Sequence, residues 1–195
     1  FSGTELYRKT LGLVGAGRVG GEVARRARAF GMRVLAYDPY LSADAARGMG
    51  VELTTLDEVL KEADAISLHV PLTDSTRGLL GEAQLARLKP TAVIINAARG
   101  GVLDEAAVTR RLAEGKLAGA AFDVFDQEPL PADHPLRALN NVVLTPHLGA
   151  STEEAQLNVA LEIAESVKAA LLEGDFAGAV NAPLVDGDSL KRLRP

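Results

Sequence analysis

Arg99, Glu128 and His147 are the residues of this chain whose types and places suit the interconversion of a carbonyl and an alcohol. Each follows an apolar run of strand composition, respectively Ala92–Ile95, Gly119–Val124 and Val142–Leu144. Hydride transfer to a carbonyl needs a cation that holds the reactant's carboxylate and polarises its carbonyl, and an acid that protonates the new alkoxide. The planar fork of Arg99 suits the first task. His147 suits the second, because imidazole exchanges a proton near neutral pH. Glu128 would hold that imidazole in one orientation and favour its charged form. Singly, each residue has a plainer explanation: a surface ion pair, a loop opening at Glu128-Pro129, a packed histidine after Pro146. Their coincidence at one sheet edge carries the chemistry. His69, at the end of Ala65–Leu68, is a competing histidine and is expected to pack beside a bound cofactor. His134 lies in the proline-containing stretch Asp126–Asn141 and is expected to be exposed.

Those residues need a cofactor and a scaffold, and the amino-terminal region supplies signals for both. Gly15, Gly17 and Gly20 form a G-x-G-x-x-G spacing after the apolar run Leu11-Gly12-Leu13-Val14 and before a helical pattern. Strand, turn, helix, second strand and acid in that order read as dinucleotide binding. Gly15 allows the turn, Gly17 lets the backbone approach a pyrophosphate, and Gly20 allows the helix to pack closely on the sheet. Arg18 and Val19 should offer backbone amides to the phosphates at the helix N-terminus. Val23, Ala24, Ala27 and Phe30 would form the helix's packed face, with Arg25, Arg26 and Arg28 solvated off it. Asp38 closes the second strand, Arg33–Tyr37, where a carboxylate accepts hydrogen bonds from ribose hydroxyls and repels a 2′-phosphate, so NAD is expected over NADP. An Asp-Pro pair that merely opens a turn is the alternative for Asp38.

Further along, strands alternate with helices. The spacing predicts helices near Ser42–Met49, Leu56–Glu62 and Gly81–Leu88, and one from Asp104 to Gly115, with a strand at Val51–Leu53. Such alternation implies an α/β fold, a doubly wound parallel sheet of Rossmann type. A last long helix is signalled by Ser151 with Glu154 as a capping box and by Gly174 as a stop, and its apolar positions Ala155, Val159, Ile163, Val167 and Leu171 should pack on the sheet or on a neighbouring domain. Residues 1–182 are expected to form the nucleotide-binding domain, and 183–195 a tail that is either a stub of a substrate-binding domain or disordered. Of the 195 residues 47% are hydrophobic, enough for a well-buried core, and the formal charge of −5 argues against nucleic acid as main partner. Cysteine is absent, which excludes disulfides and thiolate chemistry, and no metal site is expected. No membrane span or signal peptide is visible, so a cytoplasmic location is expected. The chain opens on Phe1 with the first strand close behind, which suggests one domain of a longer protein.

Five segments occur in the order of a known family: Gly15-Ala-Gly-Arg-Val-Gly20 with Tyr37-Asp-Pro39; Leu68-His-Val-Pro-Leu-Thr73; Asn96-Ala-Ala-Arg-Gly-Gly101; Phe122-Asp-Val-Phe125 with Glu128-Pro129; and Thr145-Pro-His-Leu-Gly-Ala-Ser-Thr152. From about Gly3 to Asn181 the chain resembles the D-isomer-specific 2-hydroxyacid dehydrogenases, in wording nearest to the members that oxidise 3-phosphoglycerate to 3-phosphohydroxypyruvate for serine biosynthesis. The resemblance implies that Arg99, Glu128 and His147 are the catalytic trio, and that Val70, Ala97, Ala98, Arg99 and His147 line the cofactor. It further implies that Asp123 holds the nicotinamide carboxamide and that Gly149 and Ala150 lie beside the nicotinamide. Within the family a second domain completes the reactant pocket, so this chain by itself is expected to bind NAD with little turnover. The expected partners are a small 2-hydroxy acid and further copies of the chain, a homodimer or larger homo-oligomer. Glyoxylate or hydroxypyruvate reduction, or an NAD-sensing module like the corepressors of this fold, are the alternatives.

Overall fold

A computed structural model describes residues 3–176 and 179, and the chain divides after His147 into two compact units. The first unit carries seven parallel strands: β1 (Thr10–Val14), β2 (Arg33–Tyr37), β3 (Glu52–Leu53), β4 (Ala65–Leu68), β5 (Val93–Asn96), β6 (Gly119–Phe122) and β7 (Val142–Leu144). Their order in the sheet is β3-β2-β1-β4-β5-β6-β7, which places the topological switch between β1 and β4. Helices α1 (Arg18–Ala29), α2 (Ala43–Met49), α3 (Leu56–Glu62), α4 (Glu82–Leu85) and α5 (Glu105–Ala113) make the crossovers.

Parallel strands covered on both faces carry near-continuous apolar runs, because every side chain meets a layer of helices. In β1 the residues alternate between two cores. Leu11 and Leu13 join Ala24, Ala27, Val34 and Ala36, whereas Val14 joins the larger core around Ile66, Ile94, Phe122 and Leu136. A fully buried aliphatic or aromatic side chain of this kind contributes about 1.5–3 kcal/mol by leaving water. Gly12 lies where a Cβ would stand 2.7 Å from Val59 Cγ1 and 2.9 Å from Ala63 Cβ, so α3 can pack directly on the strand only if that residue is glycine.

Four expectations differ from what is observed. Phe30 is 63% exposed, because it is the C-terminal cap of α1 and has left the helical register that buries Ala24 and Ala27. The helix expected over Gly81–Leu88 keeps only Glu82–Leu85. Past it the Arg87 and Leu88 amides donate to carbonyls three residues back, and Pro90 disfavours helical backbone at Lys89. His134 is mostly buried, with 22% of its side chain exposed, because Nδ1 accepts the Leu136 amide at the start of a 3-10 turn over Pro135–Ala138.

The second unit contains α6 (Glu153–Leu172), and here the fourth difference appears. Thr152, not Ser151, is the N-cap: its Oγ1 accepts the Ala155 amide at 3.1 Å, while the Ser151 amide donates to Leu148 O in the preceding turn. Gly174 takes φ +68°, as a helix stop requires. No residue of α6 is buried, and Val159, Ile163, Val167 and Leu171 are exposed. The expected tail, 183–195, lies outside the described residues.

Candidate active site

The expected catalytic and cofactor residues of the first unit sit at the carboxyl end of a strand, in the loop that follows one, or at the start of α1. Gly15 leaves β1 with φ +91°, a conformation that disfavours any side chain, and a Cβ there would lie 2.9 Å from the His69 carbonyl. At Gly20 a Cβ would lie 2.4 Å from Gly15 O, so the close packing expected of that position is packing of α1 on its own entry turn. Gly17 caps α1 without a side-chain acceptor, and a Cβ on it would meet nothing within 4 Å. The first amides of α1, at Arg18, Val19 and Gly20, have no intrahelical acceptor and face that open side with the positive end of the helix dipole. The arrangement fits a pyrophosphate.

Asp38 takes the turn-opening task that its sequence position allowed, and a second bond besides. Its Oδ1 accepts the Tyr40 amide at 2.9 Å, the turn bond of an Asx motif, and its Oδ2 accepts the Ala16 amide at 2.9 Å and so ties β2 to the glycine turn. A carboxylate oxygen carries two acceptor sites, so each keeps one for a ribose hydroxyl.

His69 follows β4 under the same turn. Its Nε2 lies 2.9 Å from Ser67 Oγ, and Val70 Cγ1 reaches within 3.0 Å of where a Gly15 Cβ would be. Burial pushes the imidazole below its usual 6.5. Because the unfolded chain then takes the proton first, His69 contributes stability that is complete above pH 6.5 and is lost as pH falls below it. The melting temperature of the wild type should therefore decline faster with acidification below 6.5 than that of His69→Gln. Parallel profiles would rule this out.

The catalytic candidates come together around the loop that follows β6. Glu128 Oε1 accepts the Phe125 amide at 3.0 Å, and Oε2 lies 2.7 Å from His147 Nδ1. The side chains are 36% and 46% exposed. The His147 ring, and after it the Phe125 amide, hold the Glu128 carboxyl below the usual carboxylate range. With Nδ1–H donated to Glu128, any proton exchange with a reactant would fall to Nε2. His147 itself has φ +55°, uncommon for a residue with a side chain. The pair lines two cavities. One, of about 560 Å³, is bounded by Leu130, Arg137, Leu144 and Pro146, and the other, of about 670 Å³, by Leu72, Arg77, Arg99 and Gly101.

Arg99 reaches the second cavity from the loop after β5. Its Nη1 donates to Ala98 O at 2.6 Å, and the guanidinium has no ion pair among the described residues. Asn96, a buried side chain that the sequence did not single out, braces this loop: Nδ2 donates to Arg99 O at 3.0 Å and Oδ1 accepts the Ala98 amide at 3.1 Å. The available signal was a polar residue closing an apolar strand. Gly100 presses the loop onto its neighbour, since a Cβ there would lie 2.0 Å from Phe125 O. Ala97 is exposed and Ala98 half-buried beside it. Asp123 Oδ1 accepts the Thr145 hydroxyl at 2.6 Å, which links the ends of β6 and β7. Gly149 and Ala150 belong to the second unit, where Ala150 has φ +63° and its carbonyl accepts Gln156 Nε2 at 2.9 Å.

A doubly wound sheet with a glycine turn, an acid after β2, and an Arg, Glu and His over its carboxyl edge defines a dinucleotide-binding domain equipped for carbonyl chemistry. Residues 1–149 match the family described as D-isomer specific 2-hydroxyacid dehydrogenase, NAD binding domain, and the chain belongs to that family. It is 50% identical over its whole length to the D-3-phosphoglycerate dehydrogenase of Methanocaldococcus jannaschii, of which it covers 37%; the chain thus spans about a third of that relative. Among solved structures it is similar to a glyoxylate reductase from Paecilomyes thermophila, with TM-score 0.82 and 37% identity over 89% of this chain and 52% of that one. It is also similar to D-lactate dehydrogenase with NAD+ from Lactobacillus jensenii, with TM-score 0.79 and 36% identity over 88% of this chain and 55% of that one.

Proposed function

We propose that the complete protein is an NAD-dependent dehydrogenase of D-2-hydroxy acids, acting on 3-phosphoglycerate, and that residues 1–182 are its nucleotide-binding domain with 183–195 as a tail. The observation that carries this reading is the 2.7 Å contact between Glu128 Oε2 and His147 Nδ1 beside a cavity that Arg99 also lines. NAD supplies the hydride acceptor when bound. The amides of Arg18 and Val19 hold its pyrophosphate, Asp38 its ribose and Asp123 its carboxamide, with Val70, Ala97 and Ala98 lining the remainder. Arg99 binds the reactant's carboxylate through paired charge-assisted hydrogen bonds and draws electron density from its carbonyl or hydroxyl carbon. In oxidation Nε2 of His147 takes the hydroxyl proton, and in reduction it returns a proton to the same oxygen, while Glu128 stabilises the imidazolium. The relatives at 50% identity support phosphoglycerate as reactant. The neighbour named glyoxylate reductase supports a second reading, glyoxylate or hydroxypyruvate reduction. A homodimer or larger homo-oligomer in the cytoplasm completes the proposal.

A panel of 2-hydroxy acids with NAD, assayed on the complete protein, tests the reactant. Turnover of glyoxylate with none of phosphoglycerate would replace the first reading by the second. Cofactor choice is tested by calorimetry: NAD should bind more tightly than NADP, and Asp38→Asn, which keeps an acceptor for one of the two backbone amides and removes the charge facing a 2′-phosphate, should narrow the difference. Equal affinities in the wild type would defeat the assignment of Asp38.

A further inference from the structure

Glu105 is a buried carboxylate that the proposed chemistry does not use. It is the first residue of α5 and only 8% exposed. Its Oε1 accepts the Asp126 amide at 2.7 Å, and its Oε2 lies 3.6 Å from His134 Nε2. Because His134 Nδ1 accepts the Leu136 amide, its proton sits on Nε2 and faces Glu105. Burial, and the negative charges of Asp126 and Glu128, push the Glu105 carboxyl up, against the opposing pull of the Asp126 amide. A carboxylate held at that cost in a first helical turn has one ordinary explanation, the favourable charge–dipole contact with α5. Its hydrogen bond points elsewhere, into the loop of the candidate site.

Two successive amides of that loop end on carboxylates: Phe125 N–H on Glu128 and Asp126 N–H on Glu105. The Asp126 side chain then reaches the Arg99 loop, where Oδ1 accepts the Gly101 amide at 2.5 Å. The backbone of Gly100 lies against Phe125 O without room for a side chain, so a shift of one loop displaces the other. A chain of contacts therefore runs from Glu105 through the Phe125-Asp126 turn, to Glu128 and His147 on one side and to Gly101 and Arg99 on the other.

We propose that Glu105 is a positioning residue, which by fixing the Asp126 amide sets Glu128 against His147 and holds the Arg99 loop in register. This role rests on the proposed function of His147 and Arg99, and acts through the backbone, not through charge. Glu105→Ala in the complete protein should lower kcat by up to about 10²-fold, the loss expected when catalytic groups shift by about 1 Å. NAD affinity should stay near that of the wild type, and the alkaline limb of the reduction profile should move to lower pH as Glu128 loses its fixed place beside the imidazole. Glu105→Gln keeps an acceptor for Asp126 and removes the charge, so it should restore most of the lost kcat even if it melts earlier. A helix-dipole role alone predicts the reverse: both variants melt earlier and both keep kcat.

Asp126→Ala tests the other arm at an exposed position, with loss of the Gly101 contact raising KM for the hydroxy acid while the pH limb stays in place. Wild-type kcat and pH profile in a folded Glu105→Ala protein would overturn the proposal, as would a Glu105→Gln variant as impaired as the alanine. If Glu105→Ala does not fold, an unchanged KM in Asp126→Ala overturns it. Absence of turnover in the wild type would instead defeat the proposed function, and turnover that survives His147→Ala would defeat the role given to His147.

Discussion

His147→Ala in the complete protein removes ~10²–10⁴-fold of kcat, the contribution typical of a positioned proton-transfer group, and leaves NAD affinity nearly intact. The expectation follows from how the ring is held. Nδ1 is committed to Glu128 at 2.7 Å, so the imidazole presents its other nitrogen in a fixed orientation, and its charged form has a carboxylate partner already in place. Glu128→Gln removes the negative charge and leaves one oxygen for the two donors that Glu128 serves, Nδ1–H and the Phe125 amide. The imidazolium of the pair is then less favoured, and the pH at which reduction fails should move down. On the acid side the sign is opposite. Glu128 is held below the usual carboxylate range, so the pair persists as pH falls through that range and is lost only below it. Stopped-flow turnover and NAD titration of the three proteins check both points. If His147→Ala retained wild-type turnover, the proton donor would have to be sought at His69, the other histidine beyond a strand end.

The central strands were legible because burial on both faces gives them nearly continuous apolar runs, as in Ala65–Leu68; Val142–Leu144 is observed as expected from its apolar composition, although Val143 is 62% exposed. The glycine turn was legible because only glycine tolerates φ +91° and a carbonyl at 2.9 Å. Helix ends were less so. Ser151 and Thr152 are equally good caps by type, and only the φ,ψ path of the preceding turn decides that Thr152 receives the Ala155 amide. Arg99, Glu128 and His147 could be named from residue type and strand order, since the carboxyl edge of a parallel sheet is where their loops must lie. Their supports could not. Asn96, Glu105 and Asp126 act by hydrogen bonds to backbone amides and carbonyls of residues two to twenty-five positions away, and amino-acid type says nothing about which amide a carboxylate will find.

Arg99→Ala should lower kcat/KM by ~10²-fold or more, since each charge-assisted hydrogen bond to a carboxylate contributes about 1.5–3 kcal/mol and a guanidinium supplies two. Arg99→Lys should recover only part of it, because an ammonium keeps the charge and loses the paired, planar donors. The backbone around Arg99 is fixed by Asn96 and by the contact of Gly100 with Phe125, so the loss measures the side chain and not a loop that has moved. Salt separates this role from that of His147. Arg99 stands exposed in its cavity without an ion pair among the described residues, so its attraction for a carboxylate acts partly through solvent and is screened as ionic strength rises. The ratio of wild-type to Arg99→Ala kcat/KM should therefore shrink between low and high salt. The kcat ratio for His147→Ala should not, because a proton passed within a hydrogen bond has no screening ions between its donor and acceptor. Equal salt dependence of the two ratios would mean that Arg99 acts on the chemical step and not on the capture of an anion.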